Sequence, residues 1–410
     1  MKMIGRYFCR GYVALVFLAV TASAQGPSRI VAIGDVHGAY PEFVSILQRT
    51  GLIDASLNWS GKDVTFVQVG DLLDRGADSR KALDLMMKLE GQAAQAHCKV
   101  IPLLGNHEVM DMVGDVRYVS AGEYQAFATD QSEARREKEF ETYKKFMTAH
   151  APPGSPFSTI DRDKWMAEHL PGFFELRDAY GPKGDYGRWF RSHDAVAEVG
   201  GVIFLHGGLD PDVHYKSIQE INKRAHAELA DFDSLWKSLA DQGAIWPYLT
   251  LDEAFKLLQA EYQAGSSGSP SLNPMLQQNI VHYLHDFPHW SIMNPDGPLW
   301  YRNLALKPED AAYKGKLDAM LKSLKAEHIV MGHTVMTQSY SITSRFDGLA
   351  FLIDTGMLTF YFHGRPSALE INGGRFTAIY ASGEQQVLVS PKTGQTSPAM
   401  IQAADGKSQP

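Results

Sequence analysis

Five short apolar runs punctuate the chain, and each stops at a polar, glycine-containing turn. They are "RIVAIGDVHG" (29–38), "DVTFVQVGDLLDRG" (63–76), "KVIPLLGNHE" (99–108), "GVIFLHGG" (201–208) and "HIVMGHT" (328–334). Runs of this length, rich in β-branched and aliphatic residues, predict buried strands followed by loops. The first two are followed by helical spacing, with Phe43, Val44 and Leu47 after one and Leu83, Met86 and Met87 after the other. Strand-loop-helix alternation predicts an α/β core. Beyond residue 333 the pattern shortens to alternating segments such as "GLAFLID" (348–354) and "RFTAIYA" (375–381), which predict strands of a second sheet.

Between these runs lie two long helix-prone stretches, near 111–190 and 214–300. They are broken by "APPGSP" (151–156) and "AGSSGSP" (264–270). Both are expected to be insertions forming a helical lid over the strand ends. The catalytic unit is expected to run over 28–382. The polar tail, 383–410, is expected to be partly disordered.

The first residues differ from the rest. Lys2, Arg6 and Arg10 precede the apolar run "GYVALVFLAV", and "ASA" at 22–24 is a small-residue cleavage signal. This predicts a secretory signal peptide over 1–24, and a secreted or periplasmic mature chain. The run is shorter than the ~20 residues that span a bilayer, so no stable membrane anchor is expected. Loss of that leader removes three cations and no acid, moving formal charge from −8 to −11. Nucleic-acid binding needs positive surface, so it is not expected. Of the two cysteines, Cys9 lies in the leader. Cys98 then has no intramolecular partner and reads as a packing residue.

In open α/β sheets ligands bind beyond the carboxyl ends of the strands. Those ends carry Asp35, His37, Asp71, Asn106, His206 and His333. Carboxylates, imidazoles and one amide oxygen suit hard-to-borderline divalent metals, and the set contains no thiolate. Six such ligands exceed one tetrahedral ion and fit two, with Asp71 the natural bridge. Two ions so held serve in-line displacement at phosphorus. Mn, Fe and Zn all accept such a set, and Mn is favoured. Arg75 offers forked donors for phosphate oxygens. His107, beside Asn106, is placed to donate a proton, and a carboxylate such as Asp74 would favour its charged form. Glu108 reads as a hydrogen-bond partner rather than a ligand. "RSH" (191–193) could bring His193 near the site. His282, His285 and His289 fall on one face of an α-helix, where a third metal site is conceivable but aromatic neighbours favour packing.

In their order, "GDVHG", "GDLLDRG", "GNHE", "LHGGL" and "GHT" resemble the motifs of the calcineurin-like metallophosphoesterases, in the phosphoprotein phosphatase branch. "GPLWYR" (297–302) and "VMGHTVMTQ" (330–338) resemble most the Shewanella-like protein phosphatases. The resemblance implies a two-sheet β-sandwich flanked by helices. It implies one metal on Asp35, His37 and Asp71, and a second on Asp71, Asn106, His206 and His333. It further implies that Arg75, Arg302 and Asn106 bind substrate phosphate, and that His107 with Asp74 is the proton-donor pair. "LIDTGM" (352–357) stands where the eukaryotic Ser/Thr enzymes of the branch carry "SAPNYC". The expected activity is hydrolysis of phosphomonoesters, on phosphoprotein Ser/Thr or Tyr side chains, by a hydroxide held between two divalent ions. The alternatives are a dinucleoside polyphosphate hydrolase and an inactive metal-binding module. Oligomeric state is not legible.

Overall fold

The computed structural model describes residues 29–152, 155–266 and 273–391. The predicted leader (1–24), most of the "AGSSGSP" linker and the end of the tail lie outside these residues. Eleven strands are present among them: β1 (Arg29–Ile33), β2 (Val64–Gln68), β3 (Lys99–Pro102), β4 (Val196–Val199), β5 (Val202–Leu205), β6 (His328–Met331), β7 (Thr343–Arg345), β8 (Ala350–Leu352), β9 (Ser367–Asn372), β10 (Arg375–Tyr380) and β11 (Gln385–Val389). They form a six-stranded sheet, β11-β10-β9-β1-β2-β3, and a five-stranded sheet, β4-β5-β6-β8-β7.

Side chains alternate across each strand, and that alternation builds the layers. Ile30, Ala32, Val67, Phe204, Val330, Phe351, Leu369 and Phe376 form one buried cluster where the sheets face each other. Their neighbours Val31, Ile33, Phe66, Ile203, Leu205, Ile329 and Met331 join the other cluster, shared with the helices. Phe351 and Phe376 stack across the interface with centroids 4.5 Å apart. The expected two-sheet sandwich flanked by helices is what the chain forms.

Two expectations change. "RFTAIYA" does not enter the second sheet: β10 pairs with β9, and β9 with β1, so this segment extends the first sheet. "GVIFLHGG" and "HIVMGHT" instead belong to the second, as parallel neighbours β5 and β6. Apolar runs specify that a strand is buried, not which strand it pairs with. Within the polar tail, Gln385–Val389 pairs antiparallel with β10 at the sheet edge. An edge strand needs only backbone hydrogen bonds on one side, so a largely exposed segment serves.

The two insertions are helical. The first includes Ser132–His150 and Phe173–Tyr180, the second Ile218–Asp241 and Leu251–Ser266. They pack on each other through rings: Trp246 lies 5.6 Å from Tyr143 and 6.0 Å from Phe174. The first brings the loop that carries Tyr118, and the loop just after the second carries Arg302.

The stacked pair gives a direct check on the sandwich. Phe351→Ala removes a fully buried ring and is expected to cost about 3–5 kcal/mol. Urea unfolding should show a lower midpoint at unchanged slope; an unchanged midpoint would contradict the packing described.

Candidate metal centre

The parallel strands of both sheets end at the same place. Beyond β1 come Asp35 and His37, beyond β2 Asp71, beyond β3 Asn106 and His107, beyond β5 His206, and beyond β6 His333. The turns are locked together by the backbone: the Asp71 carbonyl accepts the amides of Val36 (2.8 Å) and His37 (3.0 Å). His37, Asp71, Asp74, Arg75 and His333 all adopt positive φ, between 50° and 71°. Such backbone is uncommon outside glycine and concentrates where function demands it. Close approach is enforced at Gly105 and Gly332, where a Cβ would overlap Asp71 Oδ1 and Asp35 Oδ1 respectively.

One oxygen organises the cluster. Asp71 Oδ2 lies 3.2 Å from His206 Nε2, 3.6 Å from His37 Nε2 and 3.8 Å from His107 Nε2. His206 Nε2 is also 2.9 Å from Asn106 Oδ1 and 3.1 Å from His333 Nδ1. His37 Nε2 stands 3.8 Å from Asp35 Oδ2. The donors of His37, Asp71 and His107, and those of Asp71, His206 and His333, each converge within 4.8 Å. Thus the six expected ligands come together, and His107 joins the side expected of Asp35.

Backbone carbonyls fix the ring orientations. His37 Nδ1 bonds Leu73 O at 2.8 Å, and His206 Nδ1 bonds Val69 O at 3.0 Å. Each ring therefore turns Nε2 toward the carboxylates, the usual outer support of a metal-ligating imidazole. His333 Nε2 is buried without a hydrogen-bond partner. Apolar burial would not leave so many polar atoms facing one another; a divalent cation satisfies them, and the oxygen and imidazole donors fit one.

The charges agree. Burial opposes ionisation of Asp71, but His206, His107 and His37 outweigh it and hold the carboxyl well below its usual range. Burial also opposes the His206 charge, yet Asp71 and Asp35 raise that imidazole to about 9. Burial, His206 and Arg302 push His333 down to about 2. Asp35 is pushed well up by burial and by Asp354.

Around this cluster stand the remaining predicted residues. His107 Nδ1 contacts Asp74 Oδ2, leaving Nε2 facing the cluster. Burial pushes His107 down and Asp74 well up, so the pair tends to a neutral imidazole and a neutral carboxyl. This differs from the expectation that Asp74 keeps His107 charged, because burial outweighs one carboxylate. The pair nevertheless retains a transferable proton. Arg75 Nη1 reaches His37 Nε2. Its guanidinium sits 5.2 Å from the rings of Tyr118 and Phe362 and 5.7 Å from Tyr361. Arg302 donates to His333 O (2.8 Å) and Thr334 Oγ1 (3.1 Å). The loop before it is pinned to the His206 turn, where Pro298 O accepts the amides of Gly207 and Gly208. Glu108 serves structure, as expected: its carboxylate accepts the amides of Asp71, Leu72 and Gly105, each at 2.8 Å.

Two sets do not reach the site. His193 bonds Glu90 at 3.3 Å and packs on Trp189. His282–Asp286 forms a π-helical turn, and a 3-10 turn follows. The wider π turn disperses the face assumed for His282, His285 and His289, and His282 instead bonds Asp286 at 2.8 Å. Sequence reasoning also missed residues. Asp354 follows the apolar β8 just as Asp71 follows β2, so the strand-end rule could have found it. Tyr118, on a loop, and Tyr361 and Phe362, on the one-turn helix Thr359–Phe362, carried no signal, since rings outside a periodic element are placed only by tertiary contacts.

Comparison with known proteins agrees with this geometry. The calcineurin-like phosphoesterase family model matches residues 28–336. The chain is 32 % identical over 214 residues to Shewanella-like protein phosphatase 2 of Arabidopsis thaliana, covering 51 % of this chain and 53 % of that protein. It is 23 % identical over 359 residues to Shewanella-like protein phosphatase 1 of Plasmodium berghei, covering 86 % and 74 %. In fold it is similar to the solved cold-active protein-tyrosine phosphatase of a psychrophilic Shewanella species (TM-score 0.56, 21 % identity, 89 % of this chain and 81 % of that one). The chain belongs to the calcineurin-like phosphoesterase family and is a metal-dependent phosphoesterase.

The central oxygen predicts the outcome of one substitution. Asp71→Asn keeps the shape but removes the charge that faces three imidazoles, so metal content should fall together with turnover. Elemental analysis alongside an activity assay checks this. Two ions per chain at near-normal rate would remove Asp71 from the bridging position.

Proposed function

We propose that this calcineurin-like phosphoesterase hydrolyses phosphate monoesters on protein side chains after export from the cytoplasm. The observation that carries the reading is the arrangement around Asp71 Oδ2: three imidazole nitrogens on one carboxylate oxygen, with a proton-donor pair and two arginines beside them. Asp35, His37 and Asp71 would hold one divalent ion, and Asp71, Asn106, His206 and His333 a second, with manganese favoured by the oxygen donors. Such ions polarise phosphoryl oxygens and supply a nucleophile from water.

The chain's own residues do the rest. Arg75 and Arg302 present forked donors to the non-bridging phosphate oxygens, joined by the Asn106 amide, and hold the ester in line. The rings around Arg75 restrict its guanidinium without neutralising it, which leaves its charge for phosphate. His107 gives the proton from Nε2 to the departing oxygen, and the neutral Asp74 carboxyl passes its own proton to Nδ1, so the ring stays neutral and Asp74 becomes a carboxylate. Tyr118 and Tyr361 remain substantially exposed beside that point. A flat aryl ester gains contact there that an alkyl ester does not, which favours phosphotyrosine among the protein esters.

The value of His107 depends on the leaving group. An alkoxide needs a proton badly and a nitrophenolate hardly at all. His107→Asn should lose on the order of 10²–10⁴ in rate on phosphoserine peptides, less on phosphotyrosine, and least on p-nitrophenyl phosphate. Metal content should stay unchanged. An equal penalty across the series at full metal occupancy would show that His107 is not the donor.

Export rests on the anatomy of the leader. Terminal sequencing of the protein from its native host should begin after Ala24. A chain found inside the cell and still starting at Met1 would refute it.

A further inference from the structure

A cavity of about 530 Å³ lies where the two insertions meet, outside the metal centre. Its apolar wall includes Phe255, Phe287 and Met293, and its rim carries Asp115, Arg117 and Asp252. The size falls within the range of small-ligand sites. Phe255 is 38 % exposed, so an apolar ring is offered to solvent at the cavity rather than consumed by the core. The walls are tied in place, since Leu251 N donates to Gly114 O (2.9 Å) and Tyr283 Oη to Leu251 O (3.1 Å).

Two neighbouring residues lead from the cavity to the metal centre. Arg117 lines it, and the Arg117 guanidinium lies 6.0 Å from the ring of Tyr118. That ring in turn lies 5.1 Å from the ring of His107. Three residues of extended chain cover about 10 Å, which is the span of these two steps.

The charges at the rim select further. Arg117 is engaged by Asp115, with Nε 2.7 Å from Oδ1 and Nη2 on Oδ2. Asp252 forms an ion pair with Lys256, both side chains more than half exposed, and it also lies within the field of Arg117. An exposed pair of this kind is weak and easily exchanged. One carboxylate at the rim is thus open to a cation from outside.

We propose that this cavity is a substrate subsite that takes an apolar side chain about three residues from the phosphorylated one, with a basic neighbour meeting Asp252. The proposal rests on the phosphoprotein reading above, and it places part of the specificity in the insertions rather than in the metal centre. The phosphate is positioned by the cluster, and the peptide is held by a second point that the chemistry does not touch.

The test is a phosphopeptide series in which Ala, Leu or Phe is scanned through both flanks, with and without an adjacent Arg. Leu or Phe about three residues away should raise kcat/KM by roughly tenfold over Ala, the order expected for one apolar side chain in a pocket. The gain should appear mainly in KM, since the contact is made in both ground and transition states. Phe255→Ala should abolish that gain, and Asp252→Asn should abolish the added effect of Arg. Neither variant should change p-nitrophenyl phosphate hydrolysis. A series without positional preference, or a preference that survives Phe255→Ala, would overturn the subsite while leaving the phosphatase reading intact. If the wild type hydrolyses no phosphomonoester, the phosphatase reading fails by itself. Calorimetric binding of the unphosphorylated Leu/Arg peptide to wild type and Phe255→Ala then decides the subsite: weaker binding to the variant supports it, and equal or absent binding rejects it.

Discussion

Everything at the strand ends is arranged around one buried carboxylate oxygen. Asp71 Oδ2 faces three imidazoles, and its partner Oδ1 accepts the His107 amide at 3.0 Å. A carboxylate so deep would ordinarily be neutral, because burial penalises its charge. Here the facing nitrogens reverse that penalty. The cost is spread over the scaffold. Asp71 sits in left-handed backbone, its amide is held by Glu108, and Gly105 has no room for a Cβ against it. A buried charge cluster of this kind does not stabilise a fold by itself. It persists because the sandwich around it is rigid and its cation-binding chemistry is useful.

The two-sheet architecture explains how such a cluster can be assembled. Residues from β1, β2 and β3 approach from one sheet, and residues from β5 and β6 from the other. The apolar layer between the sheets sets their spacing, so the ligands converge without being neighbours in sequence. Metal geometry is therefore a consequence of core packing. The residues proposed to meet substrate follow another logic: Tyr118 and Arg302 stand on loops, and Tyr361 and Phe362 on a single short helical turn, Thr359–Phe362, where change is tolerated more readily than in the strands. The same division separates a fixed phosphoryl-handling centre from the cavity in the insertions, where partner choice can vary without disturbing the chemistry.

The motifs made much of this legible. A strand ending in glycine with an acid or imidazole beyond it is a local pattern, and Asp35, His37, Asp71, Asn106, His206 and His333 were readable from it because each lies within a few residues of its own strand. The structural role of Glu108 was also readable, since it falls three residues into a helix whose first turn needs acceptors. Layer assignment was not. Whether β10 joins β9 or the second sheet depends on pairing between distant segments, and alternation looks the same in either sheet. Nor was the state of His107 and Asp74, because burial, which no single segment encodes, outweighs the charge of one neighbour. The aromatic rim and the cavity at Phe255 lie further still from the sequence. They exist only where two insertions and two loops meet, and a ring in a loop carries no periodicity to announce what it will face. The sequence by itself determined the ligand types and the strands that present them, because those are properties of short segments. Tertiary structure alone decided which of those side chains share an oxygen, which stay apart, and what surface meets the substrate, because those are distances between segments that only packing brings together.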